Sequence, residues 1–496
     1  MSETLQPPAA VTKQLAHWIS STTSADIPSE NLTRVKHLIL DGIACAIVAA
    51  HLPWSTTATR AITSAEPSGP CTVIGWQDHT LGPLAACLLN STFIQGFELD
   101  DYHSRAPLHS NSLLIPALLA AIESPLSTGQ TITGRDFLRA YAVGLEVGPR
   151  VGLALHGNDL LTRGWHSGAV QGPSAAAAAV SNLLGLNAQR TEWALGIACT
   201  QAGGLMSAQF GSDAKRMQHG FAARNGLLGV ILAKEGYTGI EDVYERDYGG
   251  FLSCFGQGMV EGRDQPFVAH ELVKGLGEVW EIEGVRVKLH AAMAGLHSTI
   301  DCIEDLQKRH PEHFADGGKL DQIDQIVTAH GDAMYHHGGW IAPEHEPLSS
   351  TAAQMSIQYA AAAQLLDREV LMDQYGADKL NRPAIRQLMK KVKPTHTTEF
   401  DKDPTKVFAT HATVRFRDGS TVETEVAAPR GQQPPVSNEE IVDKWRRLVR
   451  DVLDEERRAQ IEQVVLDLEE AADLRPLLAL LRGDVRCPIR VEGTDG

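Results

Sequence analysis

From Pro28 to Ala50 the apolar residues Leu32, Val35, Leu38, Ile39, Ile43 and Ile47 recur at a helical period, and Pro28 with Ser29 supplies start chemistry. The spacing predicts a buried amphipathic helix. Ala-rich segments of similar pattern follow at Leu113 to Ile122, Asp136 to Val147, Val170 to Leu184, Thr191 to Cys199 and Phe221 to Glu235, separated by short Gly, Pro and Ser breaks. The first half of the chain therefore reads as nearly all helix.

The pattern changes near Glu283. EGVRVKL alternates apolar and basic residues, DQIVTAHG resembles a second strand, and THATVRFRDGSTVETEVA reads as two strands around an Asp418-Gly419 turn. Strand signal is expected here and nowhere else. TAAQMSIQYAAAAQLLD and PAIRQLMKKV keep helical spacing between these strands, so residues 280–430 are expected to form an α/β unit with helices against a small sheet. After a Pro-rich linker from Pro429 to Pro435, Ile441, Trp445, Leu448, Val449 and Val452 mark another amphipathic helix, and LRPLLALLR one more. These last helices, in residues 431–496, are expected to return to the helical domain begun by residues 1–279. The predicted fold class is α+β.

Composition narrows the class of protein. Hydrophobic residues make up 43% and charged residues 21% of the 496 positions, ordinary for a folded, Ala- and Gly-rich enzyme. A formal charge of -17, with Lys and Arg nowhere gathered into a stripe, argues against nucleic acid as a partner. MSETLQPPAA has neither the basic start and apolar run of a secretory signal nor an Arg-rich amphipathic character, which leads to a cytoplasmic expectation. No stretch approaches the roughly 20 apolar residues of a bilayer span, so no membrane is expected. The seven cysteines are scattered and never paired as C-x-x-C, which points to reduced packing residues.

Four segments concentrate reactive side chains. ELDDYHSRAPLHSNS, Glu98 to Ser112, packs three carboxylates and two imidazoles between the apolar segments STFIQGF and LLIPALLAA. Its spacing matches no standard motif such as H-E-x-x-H, so no metal is expected, and the alternative is an N-capping loop with surface charge. In GWHSGAVQGPSAAAA, His166 lies in a Gly-rich turn directly before an Ala-rich helix, whose first N–H groups favour a carboxylate. A structural His beside Trp165 is the competing reading, and G-W-H-S-G does not fit the G-x-S-x-G elbow of serine hydrolases. Lys215, Arg216, His219 and Arg224 gather basic charge in an otherwise acidic chain, as a polycarboxylate requires, or else form an ordinary helix surface. Lys288 sits on the apolar strand VRVKL, where an inward-facing ammonium needs an anion and an outward-facing one does not. Gly275 and Gly277 lack the context of a dinucleotide loop, and His336, His337, Gly338 and Gly339 beside Trp340 suggest a tight packing loop.

Taken in order, LILDGIACAIV, FIQGFELDDYHSRAPLHS, GWHSGAVQGP, ALGIACTQAGGLMSAQFG followed by AKRMQHGFAARNGLLG, YGGFL and VRVKLHAAMAGLH resemble the MmgE/PrpD family, and within it the fungal cis-aconitate decarboxylases. The resemblance implies a helical domain built from the N-terminal part and the last helices, an inserted α/β lid, and an active site in the cleft between them. It also implies a homodimer without metal, nucleotide or other cofactor, acting on a small tricarboxylate by cofactor-free decarboxylation of cis-aconitate to itaconate. Carried over residue by residue, the catalytic set is His109, His166, Lys215 and Lys288, with Glu98, Asp100, Asp101, Tyr102, His103 and His219 binding substrate or supporting the site. His109 is expected to donate the proton, His166 to orient or stabilise charge, and the two lysines to hold carboxylates. Many relatives read D-F-D-D-T where this chain has Glu98, Leu99, Asp100, Asp101 and Tyr102 and one more residue before His109. Two alternatives stand beside this expectation: a hydro-lyase resembling 2-methylcitrate dehydratase, which shares the scaffold, and a non-catalytic homologue that binds a ligand or partner.

Overall fold

Small side chains let the central helices approach closely, and the architecture follows from that. The helix Ser167–Leu183, six of whose 17 residues are Ala, is buried along its whole length, and the helices Gly134–Ala154 and Ala214–Lys234 pack along it. At Gly226 an added Cβ would lie 2.6 Å from the Ala176 methyl and from the Pro173 carbonyl, so only glycine permits that crossing. Pro83–Ile94 and Ser110–Glu123 close the bundle, with Ser29–Ala49 against them. In the computed structural model residues 10–258, 264–314, 320–343, 346–403 and 405–489 are described. No single helix among them is long and apolar enough to cross a membrane.

The helix Ala214–Lys234 begins seven residues before the expected start at Phe221, which places Lys215, Arg216 and His219 on its first two turns. These polar side chains are buried there, so the hydrophobic period gave no sign of them. The expectation that strands occur only beyond Glu283 is corrected. Cys71–Thr72 (β1) pairs antiparallel with Thr80–Leu81 (β2), and Tyr102–His103 (β3) pairs antiparallel with Val285–Arg286 (β4). EGVRVKL thus supplies only a two-residue strand, whose hydrogen bonds go to the acidic loop and not to the main sheet. Lys288 lies two residues past its end.

The larger sheet has the order β6-β5-β7-β8. Ile323–His330 (β5) runs parallel to Val392–His396 (β6) and antiparallel to Thr410–Phe416 (β7), which forms a hairpin with Thr421–Val426 (β8). Gly419 adopts φ 87° in the hairpin turn, a conformation that costs glycine little. β6 escaped sequence reading because KKVKPTH continues a helix and carries Pro394, which only an edge strand tolerates. The helices His297–Arg309, Ile357–Asp367 and Pro383–Lys391 pack against the sheet. The Gly-Gly segment after His337 also differs from expectation, because Asp332–Gly338 is a short helix.

The helix Asn438–Val449 returns to pack on Ser29–Ala49. Lys444 is buried there with its Nζ 2.6 Å from Asp41 Oδ1, and it donates a 2.6 Å hydrogen bond to the carbonyl of Leu99 in the acidic loop. One ammonium thus joins the last third of the chain, the second helix and the loop. Replacing Lys444 with Met strands the buried Asp41 carboxylate and is expected to lower unfolding free energy by about 3–5 kcal/mol. Urea denaturation measures this, with partial recovery expected in the double variant Asp41→Leu, Lys444→Met. A loss below about 1 kcal/mol for the single change would mean that the pair does not hold this junction.

Candidate active site

The acidic loop begins where the helix Pro83–Ile94 unwinds through a single turn at Gln95–Phe97. Glu98 follows in the left-handed region at φ 55°, a costly conformation for a glutamate. That turn carries its buried carboxylate among three cations. Lys215 Nζ is in direct contact with Oε1, Arg216 Nη1 lies 3.3 Å from the same oxygen, and Lys288 Nζ lies 2.9 Å from Oε2. Arg216 also donates to Thr351 Oγ1 at 3.2 Å and to Gln354, while its guanidinium lies over the Trp54 ring. Gln354 in turn donates to the carbonyls of Phe97 and Ala291 at 2.9 and 3.1 Å, which ties the loop to the segment that carries Lys288.

The next residues serve different ends. Asp100 is fully buried, with Oδ2 3.0 Å from His109 Nδ1 and Oδ1 3.7 Å from Lys288. Burial raises its pKa, but the charges of His109 and Lys288 outweigh that and leave it below the ordinary value. Asp101 accepts the N–H groups of Ser110 and Asn111 at 2.9 and 3.0 Å, capping the helix Ser110–Glu123. Burial and the neighbouring Asp100 charge push its pKa up to about 7. Tyr102 and His103 form β3, whose pairing with β4 draws Lys288 over Glu98 and Asp100.

Three imidazoles cluster, with His219 tilted against His109 and edge-on to His166. The His219 ring centre lies 4.9 Å from those of His109 and His166, and its Nδ1 is 3.1 Å from Ser112 Oγ. An added Cβ at Gly168 would fall 1.8 Å from His219 Nε2, so the glycine before the Ala-rich helix makes room for this ring. His166 caps the helix Ser167–Leu183, its Nδ1 accepting the Ala169 N–H at 3.3 Å, so the neutral ring carries its proton on Nε2. Burial, then the His109 charge, lowers its pKa to about 3, which keeps the ring neutral at ordinary pH. Burial, followed by the neighbouring His109 and His166, likewise drives His219 well below the ordinary value. Burial also lowers both lysines. Arg216 and Lys288 add to the effect at Lys215, whereas Asp100 opposes it at Lys288.

These side chains open onto one cavity of about 750 Å³, including its mouth. Glu98, His109, His166, Lys215 and Lys288 form an ionic floor, while Tyr102, Met206, Met293, Met334, Met355 and Phe408 form an apolar wall. All four residues expected to be catalytic therefore share a cavity, together with Glu98 and Tyr102. Asp100, Asp101, His103 and His219, expected to bind substrate or support the site, do not line the cavity but lie behind it, where support is the role open to them. His103 is buried against Glu281, with Nε2 3.1 Å from its carboxylate, because the β3 pairing turns the ring away from the cleft. Lys215 and Lys288 already have a counter-charge in Glu98, as buried ammonium groups demand. Arg224 lies in a different groove, over the Phe221 ring. Sequence reading missed the four methionines and Phe408, which have no shared period, and took His337, on the wall, for packing. It placed Arg216 in the basic cluster without seeing its tie to Glu98. Among the described residues no group of three or more His, Cys, Asp or Glu side chains is arranged to hold a metal ion.

Comparison with known proteins gives two matches to family models: the MmgE/PrpD N-terminal domain over residues 13–262 and the MmgE/PrpD C-terminal domain over residues 290–470. The chain is 48% identical over 481 residues to a cis-aconitate decarboxylase-like protein of Aspergillus oryzae, covering 97% of this chain and 98% of that one. It is 48% identical over 483 residues to a cis-aconitate decarboxylase of Aspergillus terreus, with the same coverage. The human cis-aconitate decarboxylase is 26% identical over 485 residues, covering 96% of this chain and 95% of that one.

The buried neutral His166 makes a pH prediction whose sign follows from linkage. Its pKa falls from 6.5 to about 3 on folding, so its contribution to stability is present above about pH 6.5 and lost as pH falls toward 3. Unfolding free energy from denaturant titrations is expected to fall on acidification through that window, and less steeply in His166→Gln. Identical slopes for the two proteins would rule out this burial effect.

Proposed function

The chain belongs to the MmgE/PrpD family, and on that footing we propose that it is a cis-aconitate decarboxylase, a carboxy-lyase that forms itaconate and carbon dioxide. One observation carries the assignment of parts: His109, backed by Asp100, and the Lys215–Lys288 pair meet on the floor of a single cavity. The names and extent of the fungal relatives support the acid and the reaction.

The chemistry needs little beyond charge and one proton. In cis-aconitate the departing carboxylate sits on a methylene attached to the double bond. As that carbon–carbon bond breaks and carbon dioxide leaves, its electron pair forms the new double bond. The old one shifts its pair onto the far alkene carbon, next to a retained carboxylate. A proton added to that carbon completes itaconate. The substrate's own alkene is the electron sink, so the reading requires no metal, nucleotide or other cofactor. Each lysine keeps donors beyond those given to Glu98, and these take the substrate carboxylates while Glu98 fixes the ammonium groups in place. Asp100 holds His109 by Nδ1, which leaves Nε2 to deliver the proton. His166, neutral with a proton on Nε2, donates a hydrogen bond to the carboxylate on which charge grows.

We also propose a homodimer in the cytoplasm. Leu205 and Phe221, 61% and 41% exposed, flank one groove on the helical domain and offer apolar surface to a second copy. Free thiols at all seven cysteines suit a reducing compartment. Light scattering at twice the chain mass, and turnover unchanged after exhaustive chelation, are the expected results.

Incubation with cis-aconitate and with 2-methylcitrate, read by mass spectrometry and carbon dioxide release, separates decarboxylation from loss of water. Release from cis-aconitate is expected, and dehydration of 2-methylcitrate alone would replace this reading with the hydro-lyase. His109→Ala is expected to lower kcat by about two to four orders of magnitude with the fold intact, and near-normal release would remove the proton from that residue. Lys288→Ala is expected to act mainly on KM, by roughly ten- to hundredfold. Because burial lowers both lysine pKa values, KM is expected to rise with increasing pH as the ammonium charge is lost. A KM that falls with pH would contradict the anion cradle.

A further inference from the structure

The apolar wall has no partner in cis-aconitate. Each of the three backbone carbons of that acid carries a carboxylate, so the molecule presents no hydrocarbon surface. Yet four of the nine methionines in the chain, Met206, Met293, Met334 and Met355, line the same cavity as the lysines. The residues that the second half of the chain beyond Lys288 contributes to the wall include no Lys or Arg. A carboxylate turned toward the four methionines and Phe408 would lose its hydration without gaining a donor from them.

Part of the wall stands apart from the core, although Met293 packs against it. Tyr102, Met334 and Phe408 form an apolar cluster of their own, separate from the main core, with Ala294 and Ala333 packed on it. The Tyr102 and Phe408 rings are 6.3 Å apart. Thioethers are polarizable and flexible, which suits them to hydrocarbon of varying length rather than to one fixed shape.

We propose that the site accepts cis-aconitates bearing an alkyl chain on a carbon next to the central one, with the chain lying against Met206, Met293, Met334 and Phe408. This rests on the decarboxylase reading above. The bond changes are the same: carbon dioxide leaves the carbon bearing the departing carboxylate, the double bond shifts, and one proton from His109 is added at the far alkene carbon. The alkyl chain takes no part in them and contributes binding alone.

The test is kcat/KM for cis-aconitate and for its methyl-, propyl- and hexyl-substituted forms, each read by carbon dioxide release. Efficiency is expected to rise by about three- to fourfold per methylene over the first few carbons, the ratio that burial of a methylene supplies. Met206→Ser, at a partly exposed position, and Met334→Ser are expected to flatten this rise more than they change turnover of the parent acid. A tenfold or greater loss on adding the first methyl, with cis-aconitate still turned over, would overturn the proposal and leave the decarboxylase reading standing. A rise that survives both methionine variants would overturn the placement of the chain. Carbon dioxide release from none of the acids would overturn the decarboxylase reading itself.

Discussion

The site depends on one carboxylate buried on the floor of the cavity among cations. Glu98 sits in a left-handed turn and meets Lys215, Arg216 and Lys288, which come from a helix of the bundle and from the segment that follows β4. Without Glu98 three buried cations would repel one another across a few ångströms, at a cost of several kcal/mol. With it, the two lysines are fixed in direction and keep donors for an incoming anion. The strain of the turn is offset by these contacts, and further by the hold that Lys444 has on the adjacent Leu99 carbonyl.

Around this cluster, histidines of the same intrinsic basicity are set apart by their surroundings. His109 faces a buried carboxylate, whereas His166 accepts a backbone N–H and lies in a dry environment that holds it neutral. Divergent environments of this kind let one site combine a proton donor with a neutral hydrogen-bond donor. His219 lies between them as a spacer, with Gly168 making the room.

The cavity is two-sided. Its floor belongs to the acidic loop, the helical bundle and the strand end that carries Lys288. Most of its apolar wall is drawn from residues 293–408, around the four-stranded sheet and its helices. Gln354 and Arg216 cross from one side to the other, so the position of the wall is tied to the same ion cluster that orders the floor.

Periodic Ala-rich segments foretold the central helices, and alternation foretold β5, β7 and β8, because local periodicity records which face of an element is buried. The residue types at His109, His166, Lys215 and Lys288 were visible as isolated clusters, and family resemblance joined them. The chain alone did not reveal that Glu98 neutralises the lysines, that β4 pairs with the acidic loop, that His103 turns away, or that Lys444 reaches Leu99. Those partners lie between 178 and 345 residues apart in the sequence, apart from the nearer pair of Glu98 with Lys215. Nor did the methionines announce a common wall, since they share no spacing and meet only in the cavity. Pattern along a chain reports burial, whereas which charge meets which is set by the three-dimensional path that brings distant segments together.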